Sequence, residues 1–165
     1  MRHVRFAACD LPVAPALALF LLVFSPNPAA AKDLPSDVCS LLTTQQLQKT
    51  LGQTFGAAQK TAAPPAYRGQ SAGTNCRYSD SGGRHEVVFI VYVDGSAAEA
   101  KETFNKLSMW YPTLSKPSGI GDSAYIDKSH AIHVLKGSVR YFINGGSNAS
   151  DKQVQDLANA VAAQL

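Results

Sequence analysis

Cys39, in the run DVCSLLTT, and Cys76, in TNCRYSD, stand 37 positions apart, and their state decides how this chain can be built. If they pair, the segment opening the first helix is tied covalently to a strand; if not, a modest core must hold alone. The answer depends on the N-terminus. Arg2 and Arg5 precede an apolar stretch from Leu11 to Phe24, followed by a polar turn at Ser25 to Pro28 and by Ala29, Ala30 and Ala31. This is the three-part layout of a secretory leader, with an A-x-A cleavage pattern. Pro12 and Pro15 break an apolar run that falls short of the roughly 20 residues needed to cross a bilayer, so no span is expected after cleavage. The expected organisation is a signal peptide over 1–31 and one globular domain over 32–165.

Cys9 leaves with the leader, and Cys39 and Cys76 remain as an even pair in an oxidising compartment, periplasmic or secreted, where two thiols of one small domain join. A lipid anchor would need its cysteine at the cleavage junction, and Cys39 lies well beyond Ala31. A nucleophilic thiol would need a nearby base and an electropositive setting; Asp37 is beside Cys39 and no histidine is close in sequence.

The net charge of +3 falls by one when Arg2, Arg5 and Asp10 are removed. Basic residues are scattered singly from Lys49 to Lys152 among acids, without the concentrated stripe that marks a nucleic-acid binder. Nucleic acid is not an expected partner.

Three capping boxes mark helix starts, each a Ser or Thr answered three residues later by Gln or Glu. They are Thr43 with Gln46, Ser96 with Glu99, and Ser150 with Gln153. Gly52 stops the first helix. Ala97, Ala100, Phe104, Leu107 and Tyr111 recur at helical spacing in the second, predicting one stripe facing a core. Val154, Leu157, Ala158, Val161 and Leu165 do so in the third. EVVFIVYV, Glu86 to Val93, reads as a central strand covered on both faces. Thr74 to Ser79 pairs with it across a Gly-rich turn, and Ala124 to Asp127, Ala131 to Leu135 and Val139 to Asn144 form three further strands. The stretch from Gly56 to Asn75, with Pro64 and Pro65, reads as a surface loop that a short edge strand around Ala57 to Thr61 could shorten. The fold class is α+β, a single mostly antiparallel sheet of about five strands with three helices packed on it.

Cys39-Ser40-Leu41-Leu42-Thr43 opening a helix, Gly52 ending it, Cys76-Arg77-Tyr78, Gly119-Ile120-Gly121-Asp122-Ser123-Ala124-Tyr125 and an Ala/Val-rich last helix together resemble a group of small exported bacterial proteins, many of them lipoproteins, of unknown function. The resemblance implies an extracytoplasmic α+β domain with its two cysteines paired. It implies no catalytic residues, and this chain lacks the junction cysteine of the lipid-anchored members.

Motifs with a mechanism are few. Gly119-Ile120-Gly121-Asp122 lacks the Lys-Ser/Thr of a phosphate loop and leads into a strand, so it reads as turn chemistry. Gly145, Gly146 and Ser147, ahead of the third helix, form the better anion-loop candidate. His85, His130 and His133 with Asp127 suggest a metal, but His130 and His133 would point to opposite faces of a strand, so solvated or strand-edge histidines are expected, with no metal or cofactor. No Gly-x-Ser-x-Gly or Ser-x-x-Lys pattern is present. Trp110-Tyr111-Pro112 is the densest aromatic cluster, and with Tyr67 and Arg68 it forms the expected partner or ligand surface. The expected function is a non-enzymatic binding or accessory domain acting on an envelope protein or ligand; the alternative is a small extracytoplasmic hydrolase or ligand-sequestering protein.

Overall fold

The computed structural model describes residues 34–65, 70 and 72–165; the leader expected over 1–31, Tyr67 and Arg68 lie outside them. A 3₁₀ turn at Val38–Leu41 leads into α1 (Thr44–Leu51). Then come β1 (Gln59–Ala63), β2 (Gly73–Ser79), β3 (Glu86–Val93), α2 (Ala97–Trp110), β4 (Thr113–Ser115), β5 (Ser123–Asp127), β6 (Ile132–Lys136), β7 (Val139–Asn144) and α3 (Asp151–Ala162). The seven strands form one sheet in the order β1-β2-β3-β7-β6-β5-β4, with every neighbouring pair antiparallel.

The sheet thus has seven strands rather than about five. Both additions are outermost strands, where half the backbone groups need no partner and the side chains bury little, so they carry weak sequence patterns. β1 reads QKTAA, exposed at four of its five positions. β4 is three residues long with a register shift between Thr113 and Ser115.

Caps fix the helices. Thr43 and Gln46, and Ser150 and Gln153, form complete capping boxes, and Gly52 ends α1 at φ 72, a left-handed conformation that glycine adopts without strain. At α2 the Ser96 hydroxyl accepts from Glu99 N, but Glu99 Oε2 takes Gly95 N.

The two faces of the sheet differ. On one, Cys76, Tyr78, Val87, Phe89, Val91, Ile132, Val134, Tyr141 and Ile143 pack with Leu47 of α1 and with Val154, Leu157, Ala158 and Val161 of α3 in the main core. On the other, α2 is the one helix among the described residues, and its Ala100 and Phe104 meet Tyr125 and Leu135 in a smaller cluster. The expected apolar stripe of α2 is therefore buried for half its length. Ala100, Thr103 and Phe104 are buried, but Leu107 is half-buried and Tyr111 is 46% exposed. Likewise β3 lies inside the sheet with Val87, Phe89 and Val91 sealed, while Val88, Ile90 and Tyr92 on its opposite face are only half-buried.

Cys39 and Cys76 are disulfide-bonded. Two positions along β2, on the same face, the Tyr78 hydroxyl reaches the carbonyls of Cys39 and Leu42 at 2.8 and 2.5 Å. One covalent and one polar tether therefore fix the 3₁₀ turn to the sheet. Replacing both cysteines by Ala is expected to lower unfolding stability by about 4 kcal/mol on the chain-entropy account, and Tyr78→Phe by about 1–3 kcal/mol through unsatisfied carbonyls. Urea denaturation of the combined variant should show a loss smaller than the sum, because both tethers hold one segment.

Candidate functional site

The half of the second sheet face that α2 leaves open is a cleft of about 670 Å³. Strand alternation supplies its floor: Ile90 and Tyr92 from β3, Phe142 from β7 and His133 from β6. Leu107, Trp110, Tyr111 and Pro112 form the wall where α2 ends, Asp127, Lys128 and Ser129 form the turn after β5, and Pro64 and Pro65 form the opposite rim. Trp110 and Tyr111 are 62% and 46% exposed. Tyr111 leaves the helix in extended conformation just before Pro112, a residue that cannot continue a helix and biases its predecessor toward the β region.

His133 is 8% exposed and is held by rings. Tyr125 stacks on it at 4.4 Å and 9°, Phe142 meets it edge-on at 4.9 Å, and Tyr111 tilts against it at 5.4 Å. Its Nε2 lies 2.8 Å from Asp127 Oδ2. The other carboxylate oxygen, Oδ1, accepts from Ser129 N at 2.8 Å, Ser129 Oγ at 2.6 Å and Ala131 N at 3.3 Å. Asp127 thereby organises the turn that joins β5 to β6, in which His130 takes φ 60.

These contacts set the charges. Burial would raise the Asp127 carboxyl, but hydrogen bonds from Ser129 and His133 outweigh it and hold the group below its ordinary value. Burial lowers the His133 imidazole despite Asp127. At neutral pH the pair is a carboxylate and a neutral imidazole.

Tyr92 is equally fixed. Its hydroxyl donates to Pro64 O at 3.1 Å, and the Arg140 guanidinium lies 4.9 Å from its ring centroid. Arg140 is itself held by Asp94, through Nε to Oδ2 at 2.6 Å and Nη2 to Oδ1 at 3.0 Å, with both side chains 4% exposed. Gly73 lies under the ring, where a Cβ would come within 2.7 Å of it and 2.6 Å of Val91 O.

Of the residues expected at a partner surface, Trp110 and Tyr111 line this cleft, and Tyr67 and Arg68 fall outside the described residues. Gly145, Gly146 and Ser147 lie elsewhere. Gly145 packs so closely on Ala149 that a Cβ would come within 2.4 Å of that side chain, and Gly146, at φ 79, crosses the Glu86 carbonyl. These two glycines have a packing role, and Ser147 is exposed. Asp122 accepts from Gly137 N. The histidines part company, since His130 is exposed and pairs with Asp151, whereas His133 is buried rather than solvated. Among the described residues, no group of three His, Cys, Asp or Glu side chains could hold a metal. Sequence reasoning missed Ile90, Tyr92 and Phe142, and it grouped His133 with Asp127 only as metal candidates alongside His85 and His130, not as a hydrogen-bonded pair. An aspartate ending one strand and a histidine two positions into the next was the available signal.

No protein-family model, curated protein or solved structure matches this chain.

Two predictions follow from these buried groups. Asp94→Ala leaves Arg140 charged and unpaired, and is expected to cost about 3–5 kcal/mol in chemical denaturation. For His133, the folded-state pKa lies below the unfolded value of about 6.5. Its contribution is therefore complete above that pH and is lost as acidification proceeds through the folded pKa, because the unfolded chain binds the proton more readily. Thermal melts from pH 8 to 5 should show a falling melting temperature whose acid limb is shallower in His133→Phe.

Proposed function

We propose that this domain is a non-enzymatic, extracytoplasmic binding module whose cleft receives a small molecule with an apolar, ring-bearing body. The observation that carries this reading is a cleft of drug-like size walled by aromatic rings that the protein itself holds in place. Ligand sites are concave, mostly apolar and largely preformed, with a few placed polar groups. Tyr92, Phe142 and His133 are held by ring contacts and hydrogen bonds before any ligand arrives, so little ordering cost remains for binding. The disulfide suits an oxidising compartment, and among the described residues no helix is long and apolar enough to cross a membrane; both are compatible with export.

The chemistry favours binding over hydrolysis. In a nucleophile–base–acid relay the serine hydroxyl bonds the imidazole, but Ser129 Oγ donates to Asp127. The Asp127 oxygen facing the turn already accepts three bonds. A second reading, docking of an envelope protein, is favoured by Met109 and Leu114, which are 76% and 51% exposed on either side of the aromatic cluster.

Trp110 is the sole tryptophan, so its emission reports on the cleft wall. Titration with the neutral fluorophore N-phenyl-1-naphthylamine is expected to quench Trp110 saturably with one-to-one stoichiometry. Ile90→Arg, which places a charge on the floor, should weaken binding at least about tenfold without a matching fall in melting temperature. Absence of saturable quenching in the wild-type protein would remove the small-molecule reading and leave the docking surface.

A further inference from the structure

We propose that the ligand presents a hydroxyl or amino hydrogen on its ring system to Nδ1 of His133, and that Asp127 is the positioning residue that makes Nδ1 an acceptor. This rests on the binding reading above and adds the polar chemistry that the cleft selects.

The two oxygens of Asp127 fix the tautomer of His133. Three donors converge on Oδ1, and Oδ2 faces Nε2 of His133. An ionised carboxylate only accepts, so the imidazole proton must reside on Nε2. A neutral imidazole carries one N–H, and Nδ1 is then a bare lone pair. Among the described residues nothing donates to it; the contacts of His133 are Asp127 and the rings of Tyr111, Tyr125 and Phe142. His133 lines the cleft, which therefore offers an acceptor on a residue 8% exposed, in a ring that Tyr125 keeps in its plane and the Asp127 bond keeps from turning over. An acceptor fixed among apolar walls is worth little in the empty cleft and much to a ligand that can donate to it, since a ligand without the hydrogen leaves the lone pair desolvated and unpaired. Lys128, Ser129 and Asp127 of the lining do not duplicate this role, and the hydroxyls of Tyr92 and Tyr111 both donate and accept, so they set no preference between donor and acceptor ligands. Lys128 is exposed and only donates, and Ser129 and Asp127 are engaged with one another.

The tautomer can be reversed by one atom. In Asp127→Asn the amide oxygen stays where three donors converge, which puts the NH₂ group opposite Nε2. That nitrogen must then accept, and the proton moves to Nδ1. The cleft would thus change from acceptor to donor without a change of shape.

Three neutral probes of similar size test this: naphthalene, 2-naphthol and 2-methoxynaphthalene, each followed by Trp110 quenching. Apolar burial alone ranks naphthalene at least equal to 2-naphthol, because the hydroxyl favours water. The expected order in the wild-type protein is 2-naphthol ahead of both others by about tenfold. His133→Phe should bring naphthalene and 2-naphthol within about twofold of each other. Asp127→Asn should narrow the gap between 2-naphthol and its methyl ether, because the ether oxygen can accept from Nδ1–H. Nitrogen chemical shifts of His133 should place its proton on Nε2 in the wild type and on Nδ1 in that variant, a signature that a merely structural Asp127 would not move. The hydroxyl preference should also fade on acidification, when both nitrogens are protonated.

Equal wild-type affinities for the three probes would overturn the donor inference and leave the cleft standing as an apolar site. No saturable binding by any of them would overturn the cleft reading itself. Wild-type protein alone separates these outcomes, whether or not the variants fold.

Discussion

The pairing of β3 with β7 is the constraint from which the rest of the domain follows. Six registered residue pairs from Val88↔Asn144 to Val93↔Val139 join the first group of strands, β1 to β3, to the second, β4 to β7. The chain leaves β3 at the middle of the sheet and must begin its second group at the far edge, so that β5, β6 and β7 can step back inward. α2 is the connection that makes this journey, and it crosses the face of the second group only. Sequential antiparallel pairing is cheap in loop length, and the single long crossing carries the helix. Coverage of one face by two helices and of the other by one half-buried helix is thus a consequence of strand order, and the cleft is the part of the second face that the crossing does not reach.

That uncovered area would be a liability if its side chains could rearrange freely, since an apolar floor open to water invites nonspecific association. Here the two polar floor residues have anchors. Tyr92 is held through Pro64, Arg140 and the flat backbone at Gly73, and His133 through Asp127 and three rings. The buried Asp94–Arg140 pair adds little net stability by the usual balance of desolvation against attraction. Its benefit lies in position, because a bidentate guanidinium presents one fixed cationic face to the Tyr92 ring. Polar groups under the cleft serve its shape, and its apolar surface is what faces outward.

Much of the frame was legible in the residues. Thr43, Ser96 and Ser150 announced their helices because capping is local chemistry, settled within four residues. Cys39 and Cys76 announced their bond as the even pair that the expected removal of Cys9 leaves. EVVFIVYV was read correctly as an interior strand but not for its covering. Apolar residues on both faces of a strand say that both meet apolar surroundings, and a sequence does not distinguish a helix lying on one face from an aromatic-lined hollow. β4 escaped, and β1 was foreseen only as a short edge strand around Ala57 to Thr61 that could shorten a loop, because TLS and QKTAA bury almost nothing. Of the site, Trp110 and Tyr111 were found through clustering in sequence. Ile90, Tyr92, Phe142 and His133 come from three strands that meet only in the folded sheet, and their convergence depends on registers that no local pattern specifies.

The outer strands carry a last consequence, for how this domain can meet its neighbours. β4 has three residues, an irregular register and prolines at 112 and 117 on either side. β1 displays Lys60 and stops at Pro64 and Pro65. Short length, irregular pairing, an outward lysine and flanking prolines are the devices that make a sheet margin a poor template for additional backbone. Lengthening of the sheet by a foreign strand is thus discouraged at both ends, and association with other molecules is directed to side chains on the faces rather than to main-chain groups along the borders.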